Sequence, residues 1–115
     1  MNEDEKGELV WKALADGTRR KILDLLRQEP QTTGQICSEF QTSRIAVMKH
    51  LGILEAANLI TIRREGKYRW NSLNAAPIQE IYERWVKPYE AHWASQAIQL
   101  RNFVENKQQK KKEKH

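Results

Sequence analysis

A single cysteine, Cys37, stands among 115 residues. One thiol excludes an intramolecular disulfide framework and any zinc site assembled from several cysteines. No apolar run approaches the roughly 20 residues that cross a bilayer, and 30% of the residues are charged. With a mean hydropathy of −0.82, no membrane partner is expected. Residues 2–8 are mostly acidic, unlike the basic start of a secretory signal, so the cytoplasm is the expected compartment. A catalytic constellation is missing as well. An enzyme would need Cys37 and His50 as nucleophile and base, yet no third group is evident to orient them, and no enzyme is expected.

What is present is one stretch that the rest serves, residues 43–56. Ser43 is placed to cap a helix by accepting a free backbone N–H. Val47, Leu51 and Leu54 recur at the i, i+4, i+7 spacing of one apolar stripe. Arg44, Ile45, Met48 and Lys49 fall on other faces, so the helix has one buried side and a long-armed, partly basic side. Residues 59–64 and 67–73 are rich in β-formers and flank Glu65-Gly66, which reads as a hairpin. Helix followed by basic hairpin is the outline of a winged helix-turn-helix, mostly α with a small β-hairpin, in which the helix enters a DNA major groove.

The net charge of +5 is unevenly spread. Residues 1–8 set Lys6 against Glu3, Asp4, Glu5 and Glu8. Residues 44–69 set Arg44, Lys49, Arg63, Arg64, Lys67 and Arg69 against Glu55 and Glu65. The basic cluster therefore coincides with the helix and hairpin, which favours a polyanion partner. A solvated face is the competing reading of the charge alone.

In chain order, Leu9, Val10, Trp11, Ala13 and Leu14 predict a short first helix after a polar, disordered start. Asp16 offers a cap for a second helix whose core face is Ile22, Leu23, Leu25 and Leu26. Pro30 ends it, because the residue before proline disfavours helix. Thr32-Thr33-Gly34-Gln35 matches a capping box and opens a helix of one or two turns that buries Ile36, Cys37 and Phe40. Pro77 sits where a first helical position is expected. Apolar residues from Ile78 to Val104 then keep helical spacing over roughly 40 Å, with Pro88 predicted to kink or split the helix. A stripe of Tyr82, Trp85, Tyr89, Trp93 and Leu100 outlasts so small a core. It predicts a partner surface, most simply a second copy, with Val10 and Trp11 joining it. Residues 107–115 have no apolar residue and read as a disordered basic tail beyond a domain spanning 1–106.

Three motifs in order match a known family. Residues 13–26, Ala-Leu-Ala-Asp-Gly-Thr-Arg-Arg-Lys-Ile-Leu-Asp-Leu-Leu, resemble the opening signature of ArsR-type transcriptional repressors. Ser43 to Ile60 resembles their recognition helix and its exit, and Arg63-Arg64-Glu65-Gly66-Lys67 resembles their wing tip. The resemblance implies a repressor that is dimeric through its first and last helices. Two departures stand out: Gly17 replaces the family's usual proline, and Cys37 lacks the partner of the metal-sensing cysteine pair. Glu90-x-His92 resembles half of another metal site, but Phe103 and Asn106 cannot supply the rest. No metal and no cofactor are expected, while a small-molecule or protein effector is left open.

Candidate roles follow residue by residue. Arg44 and Lys49 are placed for guanine edges or phosphates, Ile45 and Ala46 sit where short or apolar groups touch a thymine methyl, with inward packing the other reading of Ile45, and Met48 is a further DNA-binding candidate on the same helix. Thr33, Gln35 and Ser43 are candidate phosphate-positioning donors. His50 is a candidate phosphate ligand or a satisfied boundary histidine. Arg63, Arg64, Lys67 and Arg69 are candidates to track the backbone or minor groove, although strand alternation prevents all four from facing one way. The expected function is a dimeric repressor on a pseudo-palindromic operator in double-stranded DNA. The alternative is a winged-helix protein-interaction module that does not bind DNA.

Overall fold

The computed structural model describes residues 2–113, with side chains through Gln108. Two compact units are present, residues 1–80 and 81–115. In the first, α1 (Glu3–Leu14), α2 (Gly17–Gln28), β1 (Gln31–Thr32), α3 (Thr33–Ser38), α4 (Arg44–Ala56), β2 (Ile60–Glu65) and β3 (Tyr68–Leu73) follow in order, and α5 (Ala76–Ile81) begins.

Capping explains where each helix starts. The first begins at Glu3, earlier than the apolar pattern predicted, because Asn2 accepts the Glu5 N–H at 2.8 Å. Glu3, Asp4 and Glu5 then sit at the positive end of the helix dipole. Asp16 accepts from the N–H groups of Thr18 and Arg19 at 2.8 and 3.1 Å. Arg19's N–H is the main cause that holds the Asp16 carboxyl below its usual range. The expected capping box closes both ways, Gln35 N–H to Thr32 Oγ1 at 3.2 Å and Thr32 N–H to Gln35 Oε1 at 2.9 Å.

The exit from α4 is a Schellman motif. Asn58 takes a φ of 64°, Asn58 N–H reaches the Glu55 carbonyl at 2.9 Å, and Leu59 N–H reaches the Leu54 carbonyl at 3.0 Å. Leu54 and Leu59 are both fully buried beside it, which delivers the chain into β2.

The expected two-stranded hairpin is part of a three-stranded antiparallel sheet of order β1-β3-β2. Short β1 pairs Gln31 with Asn71 and Thr32 with Trp70. Asn71, fully buried, donates from Nδ2 to the Gln31 carbonyl at 3.2 Å and to Thr33 Oγ1 at 3.1 Å. That side chain pins the sheet to the start of α3. The core consists of Val10, Ala13, Ile22, Leu23, Leu26, Ile36, Val47, Leu51, Leu54, Ala57, Leu59 and Ile60. Each large member contributes about 1.5–3 kcal/mol by leaving water.

In the second unit Pro88 splits the helical path, as its missing N–H and ring demand. A π turn covers Tyr82–Val86, a 3₁₀ turn covers Lys87–Tyr89, and α6 runs from Glu90 to Glu113. Stretch 107–113 is helical rather than disordered, since Gln, Lys and Glu are good helix formers. The remainder of that tail, 114–115, lies outside the described residues. Among the described residues no helix is long and apolar enough to cross a membrane.

Candidate nucleic-acid interface

The geometry of α4 follows from which side it buries. Val47, Leu51 and Leu54 are in the core, and at 100° per residue the opposite side carries Ile45, Lys49, Gly52 and Ile53. All four are exposed, Ile45 at 73%. Ile45 is therefore free to make a contact outside the chain. Arg44 is exposed at the first helical position, just after Ser43, whose Oγ accepts the Ala46 N–H at 3.1 Å. Arg44 and Lys49 have no ion-pair partner among the described residues. Met48 and Ala46 are half-buried on the two flanks.

Gly52 drew no attention in the sequence, yet it is informative. A Cβ there would meet nothing within 4 Å. Glycine in a helix interior costs about 0.5–1 kcal/mol against alanine, and nothing within the chain requires it here. Its place on the outward side suits close approach by a partner.

The wing is built on register. Arg64 stands directly opposite Arg69, and Arg63 opposite Trp70. Ile60, Ile62 and Arg64 share the core-side face with Leu73, Asn71 and Arg69, so both arginines extend that face beyond the core. Two like charges directly opposed in a sheet are destabilising, an arrangement that an anion between them relieves. On the other face Arg63 pairs with Glu65 at 2.9 Å, which removes it from the uncompensated cations. Lys67 lies 5.4 Å from the Tyr68 ring centroid at the tip. Gly66 adopts a φ of 60° at the first loop position, which suits the twist of a two-residue hairpin.

Three expected surface donors are used internally. Thr33 is a correction: it is 3% exposed and its hydroxyl accepts from Asn71, a partner 38 residues away that no local pattern reveals. Gln35 and Ser43 are exposed but occupied in caps. His50 is half-buried, its Nδ1 3.2 Å from Arg19 Nη1 and 4.0 Å from Asp16 Oδ1.

Among the expected partner-surface residues, Val10 is also corrected. It is 5% exposed, a member of the first unit's own core. Its neighbour Trp11 is exposed. In the second unit Trp85, Tyr89, Trp93 and Leu100 are exposed, Trp93 at 53%, and Tyr82 is half-buried. Tyr89 and Trp93 stack at 6.4 Å between centroids, Arg84 lies 5.1 Å from the Trp85 ring, and the Tyr82 hydroxyl donates to the Glu90 carboxylate. That bond to Glu90 is the main cause that pushes the Tyr82 hydroxyl above its usual range. Among the described residues no three His, Cys, Asp or Glu side chains cluster closely enough to hold a metal ion.

Comparison with known proteins places this geometry. A helix-turn-helix domain family matches residues 14–63. The transcriptional repressor SdpR of Bacillus subtilis (strain 168) is 42% identical over 71 residues, 62% of this chain and 79% of that protein. The arsenical resistance operon repressor of Staphylococcus aureus is 32% identical over 79 residues, 64% of this chain and 71% of that protein. The crystal structure of an ArsR family transcriptional regulator superposes with a TM-score of 0.72 at 28% identity, over 82% of this chain and 96% of that one.

Proposed function

The chain belongs to the ArsR-type helix-turn-helix regulators and is a DNA-binding transcriptional repressor, and on that premise we propose that it acts as a homodimer reading a pseudo-palindromic operator. The relatives are transcriptional regulators rather than enzymes, and the alternative of a protein-interaction module that avoids DNA falls away.

The observation that carries the proposal is the outward side of α4: Ile45 exposed, with Lys49 beside it and Arg44 at the helix start, opposite the buried stripe. In this reading α4 lies in a major groove, Arg44 and Lys49 meet guanine edges or phosphates, and Ile45, Ala46 and Met48 meet thymine methyls. Gln35 and Ser43 support it from helix N-termini, where backbone N–H groups face phosphate. Arg64 and Arg69 on the core-side face and Lys67 at the tip hold the backbone or minor groove beside it. Arg63 contributes once it exchanges Glu65 for phosphate.

Homodimerisation is supported by aromatic side chains left in water: Trp11 on α1, and Trp85, Tyr89 and Trp93 with Leu100 farther along. A two-fold axis lets one such stripe meet its own copy. We assign the interface to the first and last helices, with Tyr82 at its edge. Residues 1–106 then carry both DNA binding and dimerisation. Two recognition helices stand about 34 Å apart, one turn of DNA. We place the protein in the cytoplasm, without metal or cofactor.

Binding to a palindromic duplex selected from a random pool, titrated with salt, tests this reading. Each phosphate neutralised contributes about −0.9 to the slope of log K against log salt. A slope of several units is expected. A flat titration would contradict DNA backbone contact.

A further inference from the structure

Arg19 makes three side-chain contacts that reach two other helices, and DNA contact does not account for them. Its Nε donates to the Ala13 carbonyl at 2.8 Å and its Nη2 to the Lys12 carbonyl at 3.0 Å, both in or beside the last turn of α1. Its Nη1 lies 3.2 Å from His50 Nδ1 on α4. One guanidinium thus joins the end of α1 to the recognition helix, from a position in the first turn of α2 that Asp16 fixes by accepting its backbone N–H at 3.1 Å.

The chemistry of this contact sets the state of His50. A guanidinium only donates, so Nδ1 must supply the lone pair and carries no proton while the bond holds. The proton of the neutral ring is then on Nε2. Asp16 Oδ1 is the competing partner, but at 4.0 Å from Nδ1 it is beyond hydrogen-bond reach. Nε2 lies across the ring from Nδ1 and so points away from Arg19. Among the described residues it has no hydrogen-bond partner, and the side chain keeps 23% of its surface in solvent. Next to His50 in sequence is Lys49, on the outward side of α4.

We infer that Arg19 is a positioning residue for DNA binding: it holds His50 as the Nε2–H tautomer, so that α4 presents an imidazole N–H to a DNA phosphate oxygen beside Lys49. The partner is phosphate rather than a base because His50 sits on the flank of α4, about 100° round from Lys49, where the groove wall rather than its floor is in reach. A phosphate oxygen accepts only, which matches a single donor. This inference rests on the DNA-binding reading of α4 and adds to it the tautomer and the residue that imposes it.

The test uses the full chain and a random-sequence duplex at low salt, since a phosphate contact is independent of sequence. Binding by the unmodified protein, and its loss in Lys49→Ala, checks the underlying reading separately. His50→Gln keeps a donor near Nε2 and loses the acceptor facing Arg19, whereas His50→Asn keeps that acceptor and loses the donor. We expect His50→Gln to stay within about twofold of the unmodified Kd and His50→Asn to weaken binding about tenfold, the size of one hydrogen bond. Arg19→Met should weaken binding only about twofold, because a released ring keeps the Nε2–H form part of the time, and adding it to His50→Asn should cost nothing beyond His50→Asn alone. Nitrogen-15 NMR of the unmodified protein should show a bare Nδ1, and Arg19→Met should mix the tautomers. His50→Asn binding normally while His50→Gln fails, additive losses, or an Nδ1–H signal in the unmodified protein would each overturn the assignment. The NMR measurement decides it even where a variant does not fold.

Discussion

Residues 1–80 and residues 81–115 treat their apolar side chains in opposite ways. In the first unit Ile22, Ile36, Val47, Leu51, Leu54, Leu59 and Ile60 are fully buried, and four of its helices begin at a side-chain cap. In the second no described residue is buried, and Trp85, Tyr89, Trp93, Leu100 and Phe103 all stand in water. The first unit completes itself. The second leaves its large apolar side chains exposed and buries none of them among its described residues, which supports the proposed pairing with a second copy. Among the described residues the large apolar side chains exposed in the first unit are Trp11, Ile45, Ile53, Tyr68 and Ile78, and of these Trp11 and Ile45 are the ones assigned to partners.

Variants can sharpen or break this contrast, taken from the largest effect down. Replacing Trp85 and Tyr89 together by alanine should abolish the dimer, since large aromatics lost from a packed interface cost about 3–5 kcal/mol each. Sedimentation should give a monomer, and an intact dimer would remove these residues from the interface. Leu54→Ala, in the self-sufficient unit, should lower unfolding free energy by about 2–5 kcal/mol in denaturant titration. Arg44→Ala should cost about 1–3 kcal/mol in operator affinity and relax base preference nearby, with stability unchanged; unaltered discrimination would take Arg44 out of base readout. Gly52→Ala should raise stability by about 0.5–1 kcal/mol while weakening operator binding, and a gain in both would mean that no partner approaches there.

The smallest effect is in acid. Asp16 is held below the usual carboxylate range, chiefly by Arg19's backbone N–H. Its contribution to stability is therefore present above the ordinary carboxylate value and lost as pH falls through the lower folded value. Asp16→Asn should flatten that part of the acid unfolding profile.

Much of the first unit is legible in its sequence because the signals are local. Asp16, Thr32 and Ser43 cap where expected, and Val47, Leu51 and Leu54 are buried as their spacing predicted. What escaped is set by partners distant in the chain. Strand β1 exists only because β3 lies beside it, and Thr33 is turned inward by Asn71. Apolar Val10 reads equally as interface or core until α2 and α4 are in place; packing assigns it to the core and leaves Trp11 outside. Arg19 showed in the sequence only as part of the opening motif, and its role did not, because its three side-chain bonds depend on how α1 and α4 approach each other.

In the proposed dimer, two copies of α4 enter successive major grooves with their Ile45 and Lys49 sides toward the bases. Its most direct test is the Kd for a selected operator whose half-sites are moved apart by about five base pairs, half a turn of DNA. Affinity should fall to that of random duplex, because the second helix then faces the wrong side of the double helix. An unchanged Kd would mean that the chain does not read DNA through two rigidly paired copies of α4.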